Sequence, residues 1–319
     1  MQSAAETNTR WRRIARAASV ILLLGALPPA LADSTLANPA ADVARLAFAS
    51  GDGAADSSAA HKAHVGTYEM PAVVVEGRNV SPYKDDELIG DYAQPRWTAQ
   101  RVFPGTRIYV IPKGEIDVEQ WFRFETPKHG GSTTVTTQSE MEIGLPHRLQ
   151  LDLYLNHVHD TGVAGSGSTG GSAEIRYAPA DWGKLWGNPA VYLEYTTLSG
   201  SPDLVEGKLL LGDELAPGWH WGINLSVEQQ TSGTRTTEKQ LTAGISRTVR
   251  DHVLEIGIET RLGWTDAKGS RGHYARDLQI GPSIRFRPLA QMHIDFAPLF
   301  GFTGDSMSRN SYVIFGWEF

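Results

Sequence analysis

The sequence predicts an all-β protein: a transmembrane antiparallel up-and-down β-barrel of about twelve strands with an irregular N-terminal extension. Three observations carry this expectation. Period-two alternation of apolar and polar residues runs from about residue 115 to Phe319. The connections between alternating segments are short and long by turns. Aromatic residues of the apolar face gather at two levels, as a membrane girdle requires. No stretch after Leu31 approaches the ~20 apolar residues of a membrane helix, so a closed barrel is the one route into a bilayer for the rest of the chain.

The start reads as a secretory signal peptide over 1–32. Arg10, Arg12, Arg13 and Arg16 precede an apolar run from Ala17 to Leu27, and Ala30-Leu31-Ala32 supplies small residues for cleavage. Removal takes four Arg and one Glu, so Lys+Arg falls from 29 to 25, Asp+Glu from 36 to 35, and the net charge becomes −10. That charge argues against nucleic acid as a partner. With no Cys, disulfides, thiolate metal sites and thiol nucleophiles are excluded. Residues 33–66, rich in Ala, Ser, Asp and Gly, have the composition of a flexible low-complexity tether. Residues 67–114 gain Pro, Tyr and Trp without any clear period, and form a pre-barrel segment.

The barrel itself is expected over 115–319. Twelve segments of bilayer-spanning length lie near 115–125, 133–145, 147–159, 171–178, 189–198, 203–212, 218–230, 235–249, 252–264, 274–287, 289–298 and 310–319. "LQLDLYLN" sets Leu149, Leu151, Leu153 and Leu155 against Gln150, Asp152, Tyr154 and Asn156. Long Gly/Ser-rich loops fall on one side and turns such as Pro146-His147 on the other; "PADWGKLWGNP" at 179–189 is long for its side, with Trp182 and Trp186 expected at the membrane interface. On the apolar face, Trp219, Trp221, Phe286, Trp317 and Phe319 mark the turn level, and Phe122, Phe124, Trp264 and Phe296 the loop level.

The last strand carries aromatics at Phe315, Trp317 and Phe319. This pattern resembles the C-terminal signal of Gram-negative outer-membrane proteins, and the resemblance implies recognition by the outer-membrane barrel assembly machinery. The hairpin "TQSEMEIGLPHRLQLDLYL" (137–155), with "DLVEGKLLLGDEL" (203–215) and "WHWGINLSVEQQ" (219–230), resembles a family of outer-membrane barrels labelled after a phenol-degradation (MetA) pathway. That likeness covers roughly 115–319 and implies an outer-membrane location, in a Gram-negative bacterium, without naming a substrate.

If the apolar face meets lipid, the other lines a lumen. Its acids are Asp117, Glu119, Glu125, Glu140, Glu142, Asp152, Glu174, Glu194, Glu206, Glu228, Glu238, Glu255, Glu259, Asp277 and Asp295. Its bases are Arg123, Arg176, Lys208, Arg261, Arg285 and Arg287. Fifteen against six makes the interior acidic, favouring cations in an open channel. Twelve strands ~4.8 Å apart and tilted ~40° enclose a backbone cylinder about 24 Å across, room for a small solute or one plugging segment. Within 78–114, Arg78, Lys84, Arg96, Arg101, Arg107 and Lys113 outnumber Asp85, Asp86, Glu87 and Asp91, so a basic segment matches an acidic lumen as plug or gate.

The expected function is a porin-like channel or transporter for a small solute, with no cofactor and no metal. The alternatives are a closed structural barrel and a lipid-modifying hydrolase. For the hydrolase, the register across the turn at 146–147 sets Ser139 diagonally beside His157 on the lipid face. His157 and His159 of "HVHD" share a face but lack a third metal ligand. "EMPAVVVEG" (69–77) has the β-branched run of an energy-coupling box, in a chain too short for such a receptor.

Overall fold

A computed structural model describes residues 81–319; the expectations for the signal peptide, the tether, Arg78 and "EMPAVVVEG" lie outside them. The alternating segments form twelve antiparallel strands: β1 (Ile116–Thr126), β2 (Thr134–Leu145), β3 (Leu149–Asp160), β4 (Ser168–Tyr177), β5 (Ala190–Leu198), β6 (Leu204–Ala216), β7 (Trp219–Gln230), β8 (Thr237–Arg250), β9 (Leu254–Asp266), β10 (Ala275–Leu289), β11 (Met292–Gly301) and β12 (Arg309–Glu318). Each pairs with its neighbours in sequence, and β12 returns to β1, so the sheet is a closed up-and-down barrel without an edge. The seam runs from Arg309↔Thr126 to Glu318↔Asp117, and the Phe319 N–H continues it to the Ile116 carbonyl at 2.9 Å.

Burial along the strands is inverted relative to a soluble sheet. Leu155, Leu193 and Ile258, on the outward face, are 71%, 56% and 57% exposed. Asp152, Glu174 and Glu259, on the inward face, are 0%, 3% and 1% exposed. Only lipid makes that arrangement favourable, so the strands span a membrane. The β2–β3 register follows the tight turn, with Leu145 opposite Leu149 and Thr137 opposite His157. His147 and Arg148 hold this turn in the left-handed region, at φ 63° and 58°.

Four turns at one end take two or three residues, while the opposite end carries the longer loops. The exception at 179–189 lies at the turn end, and one expectation about it is corrected. The Trp182 ring packs edge-on against Trp97 at 5.7 Å and Tyr109 at 5.3 Å, so it supports the segment inside the barrel instead of resting at the membrane interface. Trp186 is 80% exposed. Phe296 also departs from its expected level: it sits mid-strand, opposite Ile284 and Val313.

Candidate functional site: the lumen and the segment inside it

Residues 81–115 lie at the turn end and inside the ring. They hold one short ladder, Leu88↔Pro95 and Ile89↔Gln94, and two 3-10 turns, Lys84–Asp86 and Arg96–Ala99. Prolines at 95, 104 and 112 keep the rest extended. With no more than that short ladder of its own, the segment draws further hydrogen bonds from the wall. The Arg107 N–H donates to Asn224 Oδ1 at 2.8 Å, the Ile111 N–H to Gln150 Oε1 at 2.8 Å, and Arg176 Nη1 to the Tyr109 carbonyl at 2.9 Å.

Apolar packing fixes the same segment. Trp97, Phe103, Ile108, Tyr109 and Val110 form a buried core with Ala178, Ala190, Tyr192 and Leu210 of the barrel. Their seat is a strip of wall without side chains, because Gly212 stands opposite Gly222 and Gly222 opposite Gly244. A Cβ on Gly222 would collide with Ile108 Cδ1, and one on Gly244 would meet Phe103 Cδ1 at 2.5 Å. Glycine is required there so that a second chain can approach the backbone.

The electrostatic centre lies beside this core. Arg101, 1% exposed at its side chain, reaches Glu119 at 2.6 Å, Glu142 at 2.8 Å and Glu140 at 3.3 Å. Arg107 reaches Glu140 at 2.5 Å and Glu142 at 2.8 Å. The Arg101 guanidinium also lies 4.2 Å from the Trp121 ring centre, within cation–π range. Glu119, Glu140 and Glu142 are close enough together to hold one ion, and the two guanidinium groups occupy that position. Glu259 accepts the Gly105 N–H at 3.1 Å.

At the turn end the segment is latched. Asp251 accepts the Lys84 and Asp85 N–H groups, and Asp85 accepts the His252 N–H at 3.0 Å. Asp86 meets His220 at 3.0 Å, and His220 stacks on Trp97 at 4.3 Å. Burial, then repulsion from Glu255, pushes the Asp85 carboxyl up. For Asp86 burial acts in the same sense, but the hydrogen bonds from His220 and Ser81 outweigh it and hold the carboxyl down. Glu115, at the base of β1, is raised to about 7 by burial and then by Glu318.

The remaining inward residues divide by depth. Asp117, Asp152, Glu174, Arg176, Glu255, Arg285 and Asp295 are buried; Arg123, Glu194, Glu206, Lys208, Glu228, Arg261 and Asp277 are partly open. Several pair on the wall: Arg176 with Asp152 and Glu174, Lys208 with Glu206, and Arg261 with Glu238 and Asp277. Arg285 stays 3.9 Å from both Asp295 and Glu318. Above the segment, toward the loops, lies a cavity of about 390 Å³ lined by Trp121, Tyr154, Tyr192 and Tyr312 among charged groups. Outside the ring, Phe315, Trp317 and Phe319 are half-buried, and the Phe315 ring meets Phe122 across the seam at 6.4 Å. The Ser139 hydroxyl donates to Gln120 Oε1 at 2.7 Å, which engages it away from His157.

The glycine strip and the Trp97–Phe103–Leu210 core were missed by sequence reasoning. Their signal was three glycines at inward positions of consecutive strands, legible once the registers are aligned.

No protein-family profile matches this sequence, and no curated protein matches it. Among solved structures, an outer-membrane channel from Pseudomonas putida F1 is similar at 11% identity and a TM-score of 0.47, covering 66% of this chain and 98% of that one. The NanC porin is similar at 13% identity and a TM-score of 0.44, covering 63% and 97%. The KdgM porin follows at 10% identity and 0.41, covering 64% and 98%.

Proposed function

We propose that the chain is a porin-like channel of the outer membrane for a small solute. Its lumen favours cations, and residues 81–115 are the gate seated within it. The observation that carries this reading is the source of the charge partners. Glu140 and Glu142 are matched by Arg101 and Arg107 of the inserted segment rather than by cations of the wall, and Glu119 by Arg101 at 2.6 Å, with the wall's His293 farther off at 3.5 Å. A barrel that needed only to be sealed could supply those cations from its own strands. The aromatic closing strand supports outer-membrane assembly through the barrel assembly machinery, and the resemblance to the MetA-pathway barrels belongs to the same reading. A sealed structural barrel is the second reading, favoured by the apolar core that the segment shares with the wall.

Planar-bilayer recording tests the proposal. The full chain should show rare, small openings, and deletion of 81–113 should yield frequent cation-selective steps. Silence in both would leave the structural barrel. Lipid release abolished by Ser139→Ala would establish the hydrolase instead.

A further inference from the structure

The strand registers place many of the lumen acids directly opposite one another. Glu318 lies directly opposite Asp117, Asp117 opposite Glu142, and Glu142 opposite Asp152. Asp152 then faces Glu174, Glu174 faces Glu194, and Glu194 faces Glu206. Glu206 faces Glu228, and Glu228 faces Glu238. Nine consecutive strands, β12 through β1 to β8, each place one carboxylate in a single unbroken row. Directly paired residues share a face of the sheet, so the whole row points inward.

The row crosses the membrane. It starts at Glu318, at the turn end of β12, and finishes at Glu238, at the loop end of β8. Eight steps of ~4.8 Å, perpendicular to strands tilted ~40°, rise roughly 25 Å, about the height of the apolar band of such a barrel. Like charges directly opposite one another are destabilising, so nine in succession oppose folding unless cations accompany them. The wall supplies Arg287 to Glu318, Arg176 to Asp152 and Glu174, Lys208 to Glu206, and Arg261 to Glu238. Among the described residues, Asp117, Glu142, Glu194 and Glu228 have no wall cation within 4.0 Å. Among the described residues the cations that meet Glu142 are Arg101 and Arg107 of the inserted segment, while the wall offers it the Gln150 amide at 2.9 Å.

Cavities lie along the row on both sides of that segment. A turn-end cavity of about 720 Å³ touches Glu318, Glu115, Asp117 and Gln100. Gln100 and Asp117 also line a constriction of about 20 Å³, with Glu119, Glu142, Arg101 and Arg107. Arg101 and Arg107 in turn line the loop-end cavity, beside Glu174, Glu194, Glu206 and Glu228. Thr106, 2% exposed, lines the constriction, and its hydroxyl has no hydrogen-bond partner. An unmatched buried hydroxyl beside a cavity large enough for one water indicates a polar occupant.

We propose that the nine carboxylates are a ramp along which small organic cations with ammonium or guanidinium heads cross the membrane. Arg101 and Arg107 hold its third step, Glu142, as internal competitors. The inference rests on the channel reading and names its route and solute class. The class follows from what the ramp already accommodates: guanidinium groups between carboxylates, one of them against the Trp121 face, below a vestibule lined by three tyrosines.

The test uses the full chain in planar bilayers, with reversal potentials measured in gradients of millimolar guanidinium chloride and, separately, potassium chloride. Arg101→Ala/Arg107→Ala should conduct guanidinium in preference to chloride. Adding Glu194→Gln and Glu228→Gln should lower the guanidinium-to-chloride permeability ratio roughly threefold or more. Neutralising Glu125, an inward acid off the row, should lower it less. Guanidinium should also raise wild-type conductance above that in potassium chloride of equal ionic strength. An equal shift from Glu125→Gln, or an unmoved ratio in a conducting channel, would remove the ramp and leave the channel. Silence in every variant, the deletion of 81–113 included, would overturn both.

Discussion

Arg101→Ala isolates what holds the inserted segment in place. The guanidinium has contacts to three carboxylates, and all four side chains are at most 3% exposed. The damage is not spread evenly. Glu140 and Glu142 keep Arg107, at 2.5 Å and 2.8 Å. Glu119 keeps only the Trp121 indole N–H at 2.8 Å and His293 at 3.5 Å. Stranding one member of a buried pair costs ~3–5 kcal/mol, and with two of three acids still matched the low end applies, about 3 kcal/mol. At 1.4 kcal/mol per tenfold, the docked state loses roughly a hundredfold in population. The chain contains no Cys, so Val102→Cys, at a site 3% exposed, gives a single reporter thiol. Its reaction with a methanethiosulfonate reagent should accelerate about a hundredfold in the Arg101→Ala background, with Arg101→Lys in between because an ammonium lacks the fork. An unchanged labelling rate in a barrel of native gel mobility would show that the apolar core alone seats the segment.

Three further outcomes follow from the geometry. Glu115 binds a proton in the docked state up to about pH 7, against 4.5 for an exposed glutamate, so docking strengthens as pH falls through that window and conductance rises as pH climbs through 7. Asp85 acts in the same sense, whereas the lowered Asp86 weakens docking only below pH 3.8. Glu115→Gln should flatten the conductance–pH curve, and an unaltered curve would dismiss Glu115 as the sensor. Gly244→Val places a Cβ 2.5 Å from the Phe103 ring, costing ~1–3 kcal/mol by overpacking, so it should speed Val102→Cys labelling without altering barrel mobility on gels. Replacing Phe319 with Asp, at the seam where its N–H meets Ile116, should lower the amount of barrel assembled in the outer membrane, measured by heat-modifiable mobility of membrane fractions; normal assembly would refute the role given to the closing strand.

The ring was legible because its physics is local. Alternation and turn length locate twelve strands, with bounds a few residues out, since neither fixes where pairing frays. The β2–β3 register could be read from one short turn at Pro146. Phe296 was misplaced because strand β11 extends to Gly301, which leaves that ring in the middle. The inserted segment was harder. Trp97, Phe103 and Ile108 have no period among themselves, because each is matched to the wall and not to its neighbours in sequence. Charge showed that the segment and the lumen suit each other, but the pairing of Arg101 with three acids depends on a fold in three dimensions. The row of nine carboxylates was hidden for a different reason: it follows the hydrogen-bond direction, at right angles to the way a sequence is read.

The glycine strip has a bearing on kinetics. Gly212, Gly222 and Gly244 carry no side chains that could turn, close over the vacated place or need to be cleared again. Leaving and returning therefore ask no rotamer change of these three positions, and the order lost is that of the departing segment. A berth that stays the same shape whether full or empty makes its tenant interchangeable in time: exit can be slow, set by the ion pairs and the apolar core, while re-seating begins from a surface already prepared.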